Sequence, residues 1–160
     1  MNKVKEKIIA FLKQGLTPRD LALTIALGAV LGTFPVIGST SLLCTAASLA
    51  LRLNLPAIQS VNWAVSPLQL ALLIPLFNLG SSVFGGAGVT LSLPELIGRM
   101  RTDLLATVAE FLWITVQAIG VWSMAAPVAA LTMFLITFPL ITRLHVQYVR
   151  MSTGANIDLK

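Results

Sequence analysis

Thr33-Phe34-Pro35-Val36-Ile37-Gly38-Ser39-Thr40 lies at the centre of a run, Leu21 to Leu51, that carries no charge. Pro35 and Gly38 divide that run into apolar pieces of about 14 and 13 residues, each reaching roughly 20 Å as a helix. A hydrocarbon core is about 30 Å thick, so neither piece crosses it. The whole run as one helix, about 46 Å, is too long for a single span. A helical hairpin that dips into the bilayer and returns fits better. Broken helices at membrane depth persist where protein buries them or where they line a polar cavity.

Composition points the same way. Of 160 residues, 56% are hydrophobic and 11% are charged, and the mean hydropathy is +0.88. Soluble domains carry roughly 25% charged residues, so this chain reads as one membrane domain. The net charge of +5 does not form a basic stripe on a polar fold, which argues against nucleic acid. The basic residues instead flank apolar runs. Cys44 stands alone in an apolar segment and reads as a small packing residue, and His145 as a polar anchor. No disulfide and no metal spacing is present. Lys3, Lys5, Lys7 and Lys13 precede an apolar stretch, but the remainder of the chain is equally apolar, so a cleaved leader is not expected.

Charged residues leave three uncharged runs, 21–51, 53–94 and 111–142. If each goes in and comes back, every charge lies on one side, and the positive-inside bias makes that side the cytoplasm. The expected fold is therefore an all-α integral membrane protein of re-entrant helical hairpins, broken at Pro35–Gly38 and at Ser66–Pro67. Two amphipathic helices and a C-terminal helical hairpin complete it. The boundaries are an interfacial helix at 1–15, a first hairpin at 17–52, a second at 54–80, an amphipathic helix at 92–110, a third hairpin at 111–142 and a polar tail at 143–160. Both termini are expected in the cytoplasm of a bacterial inner-membrane protein.

Local chemistry supports several of these boundaries. In 1–15, Val4, Ile8, Phe11 and Leu12 share one face, which either lies on an anionic leaflet or packs on the protein. Thr17-Pro18-Arg19-Asp20 is a helix start, with a cap, a proline at the first position and an acid near the positive dipole end. Thr24, Gly28 and Gly32 make a small-residue stripe for close packing, with Ala46, Ala47 and Ala50 as its expected partner. Ser39-Thr40-Ser41 can cap the return helix. The second run allows a competing reading, one kinked span over 57–77, which would place Arg99 and Arg101 outside. Gly80 to Gly88 reads as a flexible link, and Ser92-Leu93-Pro94-Glu95 as a capping box. Pro127 and Pro139 break the third run, where Trp113 marks either an interface or a core.

No nucleophile, base and orienting group can be assembled, and no acid lies inside an apolar run. An enzyme is not expected, nor a cofactor or metal. What the sequence offers is uncharged polar groups at membrane depth: Ser39, Thr40, Asn62, Ser66 and Gln69. Broken half-helices add unsatisfied amides, and the helix end at Ser39 suits an anion. Arg19 and Arg52 bracket the first hairpin, either holding a phosphate bidentately or anchoring the interface. Asn62 and Gln69 serve either a ligand or the adhesion between helices. The candidate ligand-binding set is Arg19, Pro35, Gly38, Ser39, Thr40, Arg52, Asn54, Asn62, Ser66, Pro67 and Gln69.

Gly15-Leu16-Thr17-Pro18-Arg19-Asp20-Leu21-Ala22, followed by Gly28-x-x-x-Gly32-Thr33-Phe34-Pro35-x-x-Gly38-Ser39-Thr40, resembles the bacterial domain-of-unknown-function 2062 family. Leu51-Arg52-Leu53-Asn54-Leu55-Pro56-Ala57 and Asn62-x-x-x-x-Pro67-Leu68-Gln69 continue the likeness, which covers roughly residues 15–90. The resemblance implies an integral membrane protein. Some members of that family carry glycosyltransferase domains that work with lipid-linked sugars, which implies a setting near lipid carriers. A looser architectural likeness links the chain to DedA-type proteins and other proposed polyprenyl-phosphate translocases, and architecture alone does not carry function.

Three functions are expected from these features. The first is a small transporter or scramblase binding the phosphate head of an anionic lipid, a polyprenyl phosphate or a phospholipid, between broken half-helices. Its partner is the membrane lipid, and its small packing faces suggest a homo-oligomer. The second is a non-transporting scaffold or accessory subunit for an envelope biosynthesis enzyme acting on lipid-linked glycans. A channel is third, since no charged ring or carbonyl filter is present.

Overall fold

The computed structural model describes residues 16–85 and 103–154. The described residues form four helices: α1 (Pro18–Leu31), α2 (Thr40–Leu51), α3 (Leu55–Phe84) and α4 (Leu104–Gly154). The expected interfacial helix at 1–15, the capping box at Ser92–Glu95 and the last residues of the tail lie outside the described residues.

The α1 start is set by local chemistry. The Thr17 hydroxyl accepts from the Asp20 amide at 3.1 Å and donates to the Asp20 carboxylate at 2.7 Å, with Pro18 in the first turn. After Gly32 the chain leaves the helix through loose turns, Thr33 N–H to Val30 O and Phe34 N–H to Leu31 O. Pro35 has no N–H to continue them, and Gly38 takes a φ of 89° that an L side chain resists. The chain then reverses into α2, and the first hairpin is formed.

Arg52 ends α2 in the left-handed conformation, φ 55°, and Asn54 at once caps α3 by accepting from the Ala57 amide at 2.9 Å. So α3 starts at the base of the hairpin and climbs beside it. Gly28 faces Ile58 and Val61, and Gly32 faces Val65 and Asn62. A Cβ on Gly28 would stand 2.9 Å from Val61 Cβ, and one on Gly32 only 2.4 Å from Val65 Cγ2. The small stripe of α1 therefore serves close packing, but its partner is α3, not the expected alanine face of α2.

The second hairpin is a correction. Instead of turning at Ser66–Pro67, α3 runs unbroken through Pro67 and Pro75 for 30 residues. An isolated proline removes one helix hydrogen bond, which a membrane helix tolerates. At Pro35 several breakers act together: Gly32, Pro35 and Gly38, then Ser39 and Thr40. At Pro67 only Ser66 accompanies the ring, and its hydroxyl bonds back to Asn62 O within the helix. The competing reading of one kinked span describes this run. The link expected at Gly80–Gly88 is likewise helical as far as Phe84, and Gly85 (φ 82°) ends it.

The third hairpin is corrected in the same sense, since α4 is continuous through Pro127 and Pro139. Asp103 caps its start by accepting from the Ala106 amide at 3.0 Å. The stretch 104–110, expected in a separate amphipathic helix, is thus the first two turns of α4. The tail expected from 143 remains helical to Gly154. Thr107, Thr115, Thr132, Thr137 and Thr142 each donate to the carbonyl four residues back, which keeps hydroxyls satisfied in an apolar setting.

α4 runs antiparallel to α1, with Ile141 packed on Leu21 and Ala22 at the base and Trp122 against Thr33 and Phe34 at the tip. It crosses α3 where Gly80 meets the Gln117–Ala118 backbone; a Cβ there would be 2.8 Å from Ala118 N. Phe77, Ile114 and Ala118 bury the contact. α3 and α4 are long and apolar enough to cross a membrane. Their outward faces carry exposed apolar side chains such as Trp63, Met124 and Val128.

Candidate functional site

The hairpin tip meets α3 at mid-length. Gln69 is the fifteenth of its 30 residues, and its Nε2 donates to Phe34 O across 2.9 Å. On the other flank, Trp122 Nε1 donates to the Thr33 hydroxyl at 3.2 Å, and the rings of Phe34 and Trp122 meet edge to face at 5.0 Å. Two long helices thus hold adjacent residues of the turn. Pro35 is buried beneath it, while Ile37 and Gly38 project outward.

Below the tip, α2 and α3 share a polar cluster. Gln59 Nε2 donates to Ser41 O at 2.9 Å and to the Thr45 hydroxyl at 3.1 Å. Asn62 Nδ2 donates to Gln59 Oε1 at 3.2 Å and to Ser41 Oγ at 3.3 Å. The chain of donors fixes each amide's orientation. Gln59 must turn its nitrogen to Ser41 O, so its oxygen faces Asn62, and Asn62 answers with nitrogen. Asn62, only 2% exposed, is left with Oδ1 unpartnered against Gly32.

The amide donors of Gln59, Asn62 and Gln69 are all engaged within the protein, so they hold helices together. The amino end of α2 offers a further set of donors, with Ser39 half-buried and Thr40 buried beside the exposed Ile37 and Gly38. Ser39 turns its hydroxyl to Val36 O at 2.9 Å, and no side chain caps the helix. The first amides of a helix carry a partial positive charge and lack intrahelical partners, an arrangement that suits an anion. Beside the tip, an apolar cleft of about 250 Å³ opens between Val30 of α1, Thr33 of the turn, Leu68 and Leu72 of α3, and Trp122 and Ala126 of α4.

The predicted residues fall into three groups. Pro35, Gly38, Ser39, Thr40 and Gln69 come together at the tip. Asn62 lies just below, with Ser66 bonded to its carbonyl and Pro67 exposed on the outer face of α3. Arg19, Arg52 and Asn54 are at the base, away from the tip, and Asn54 is used as a helix cap. Sequence reasoning misses Ser41, Thr45, Gln59, Thr33 and Trp122. Gln59 with Asn62, and Ser41 with Thr45, have the spacing that puts polar pairs on one helix face, a signal that could have found Ser41, Thr45 and Gln59. Among the described residues no group of His, Cys, Asp and Glu could hold a metal ion.

A family model described as "Uncharacterized protein conserved in bacteria (DUF2062)" matches residues 2–153. No curated protein and no solved structure matches the chain.

Proposed function

The chain belongs to the bacterial DUF2062 family, and from that premise we propose that it is a small lipid transporter or scramblase of the cytoplasmic membrane. In this reading α1 and α2 enter the bilayer from the cytoplasm, turn at mid-depth and return, while α3 and α4 cross. Two crossings keep both termini cytoplasmic, and Asp103 and Glu110 at the start of α4 then lie on the outer side. The substrate is an anionic lipid, a polyprenyl phosphate or a phospholipid. Its phosphate is received by the uncapped amino end of α2 and its chain by the adjoining cleft. No catalytic step, cofactor or metal is invoked.

The observation that carries this reading is the placement of the hairpin tip, with the free amino end of α2, against the middle of a helix of spanning length. A fixed cation at that depth would hold a phosphate too tightly to release it, whereas amides replace its hydration and let go. The exposed Ala46 and Ala50 of α2 and the apolar exterior of α4 fit a homo-oligomer.

Ser39→Asp tests the site. A carboxylate at this position caps α2 and repels a second anion, so thermal stability holds while movement of a labelled lipid phosphate across reconstituted vesicles falls about tenfold or more. Unchanged movement in a well-folded variant contradicts the site. It favours instead the accessory-subunit reading, in which the tip is silent and partner enzymes dock elsewhere.

A further inference from the structure

The described arginine side chains gather at one end of the bundle although they come from three distant parts of the chain. Arg19 lies in the first turn of α1. Arg52 closes α2. Arg143 comes two residues after Ile141, which packs on Leu21 and Ala22, so it belongs to the same end. Levels agree along the helices as well. Arg19 is about 14 Å below Gly28 along α1, and α3, whose Ile58 carbonyl touches Gly28, begins at Leu55 directly after Arg52 and Asn54 at the hairpin base. All three are exposed. Asp103 and Glu110 lie at the opposite end, at the start of α4, beyond the level of Trp122.

We infer that Arg19, Arg52 and Arg143 form a platform for the phosphates of anionic lipids in the leaflet at the hairpin base. Guanidinium groups suit this role because their planar forks pair bidentately with phosphate oxygens. Arg52 is set for it by its backbone. Its left-handed backbone, φ 55°, forms the reversal between α2 and α3, and the residue is exposed there. The platform deepens the transport reading, which it rests on: it concentrates the charged substrate where the hairpin enters the bilayer, about 18 Å below the uncapped amino end of α2. It also adds a member, Arg143, that lies 91 positions from Arg52 and has no local sequence motif.

The test uses the full chain reconstituted in phosphatidylcholine, with spin-labelled phosphatidylglycerol or spin-labelled phosphatidylcholine as probe. Wild-type protein should immobilise the anionic probe in preference to the zwitterionic one, and the preference should fall as salt is raised. Arg143→Gln should reduce it about fivefold, as should Arg19→Gln and Arg52→Gln, while Arg143→Lys should keep most of it. Circular dichroism and thermal unfolding establish that each variant is folded. A preference untouched by Arg143→Gln, or lost equally in Arg143→Lys, overturns the platform. Lipid movement across vesicles is measured on the same samples. If the preference persists but wild-type protein moves no lipid, the transport reading fails and the platform stands. If lipid moves without any preference, the platform alone fails.

Discussion

The side-chain amide of Gln69 donates to the carbonyl oxygen of Phe34 across 2.9 Å, although the two residues are 35 positions apart. Phe34 needs this partner because the helix has already ended, and none of the backbone bonds of the turn is made to its carbonyl. The bond joins the most irregular backbone of the hairpin to the middle of α3.

Gln69→Leu should therefore leave a part-buried carbonyl unpaired and cost about 1–3 kcal/mol. Thermal unfolding in mild detergent would show the loss. Hydrogen exchange should increase at residues 36–39 and little in α4. Exchange rising uniformly over the bundle would deny the bond its local role.

Gly80 and Gly120 provide a paired prediction. A methyl group on Gly80 meets the backbone of Ala118 at 2.8 Å, which cannot yield without moving α4. One on Gly120 meets only the ring edge of Phe84 at 3.2 Å, and that ring can rotate. Gly80→Ala should destabilise by about 1–3 kcal/mol and Gly120→Ala by clearly less. The order of the two melting temperatures is the check.

Such contacts mark the limit of what local chemistry reveals. Thr17, Pro18 and Asp20 sit within one turn and give the helix start directly. Gly32, Pro35 and Gly38 act together within seven residues, so the first break is legible. Pro67, Pro75, Pro127 and Pro139 stand singly among good membrane-helix formers, and helices absorb single prolines when the bilayer leaves the backbone no better partner. Reading Pro67 and Pro127 as turns multiplies the hairpins and puts every charge, Asp103 and Glu110 included, on the cytoplasmic side, opposite to the proposed topology. The partner of the Gly28–Gly32 stripe is illegible for another reason. Alanines on α2 and the Ile58–Val61–Val65 ridge on α3 both accept a small-residue groove, and only the short Arg52–Asn54 connection, which starts α3 at the hairpin base, decides between them.

Gln59 and Asn62 should behave as one unit. Gln59→Leu removes the acceptor of the Asn62 amide and frees Ser41 O, and Asn62→Leu removes the donor. The double variant should be less destabilised than the sum of the singles by about 0.5–3 kcal/mol. Additive losses in chemical unfolding would mean that the two amides act independently.

Ala126→Leu should fill part of the cleft at the tip. Its side chain enters existing space, so stability should hold within about 1 kcal/mol, while lipid movement slows if the cleft admits the chain. Full activity in this variant would remove the cleft from the pathway.

The central claim is that the turn between α1 and α2 lies near mid-membrane while its base stays at the cytoplasmic surface. Depth measurement by paramagnetic relaxation tests it most directly, with a spin label at Ile37→Cys or at Arg52→Cys in a Cys44→Ser background. The account predicts that the Ile37 label is relaxed strongly by oxygen and weakly by a water-soluble nickel chelate, and that the Arg52 label shows the reverse. An Ile37 label as open to the nickel chelate as the one at Arg52 would place the tip in water and contradict the account.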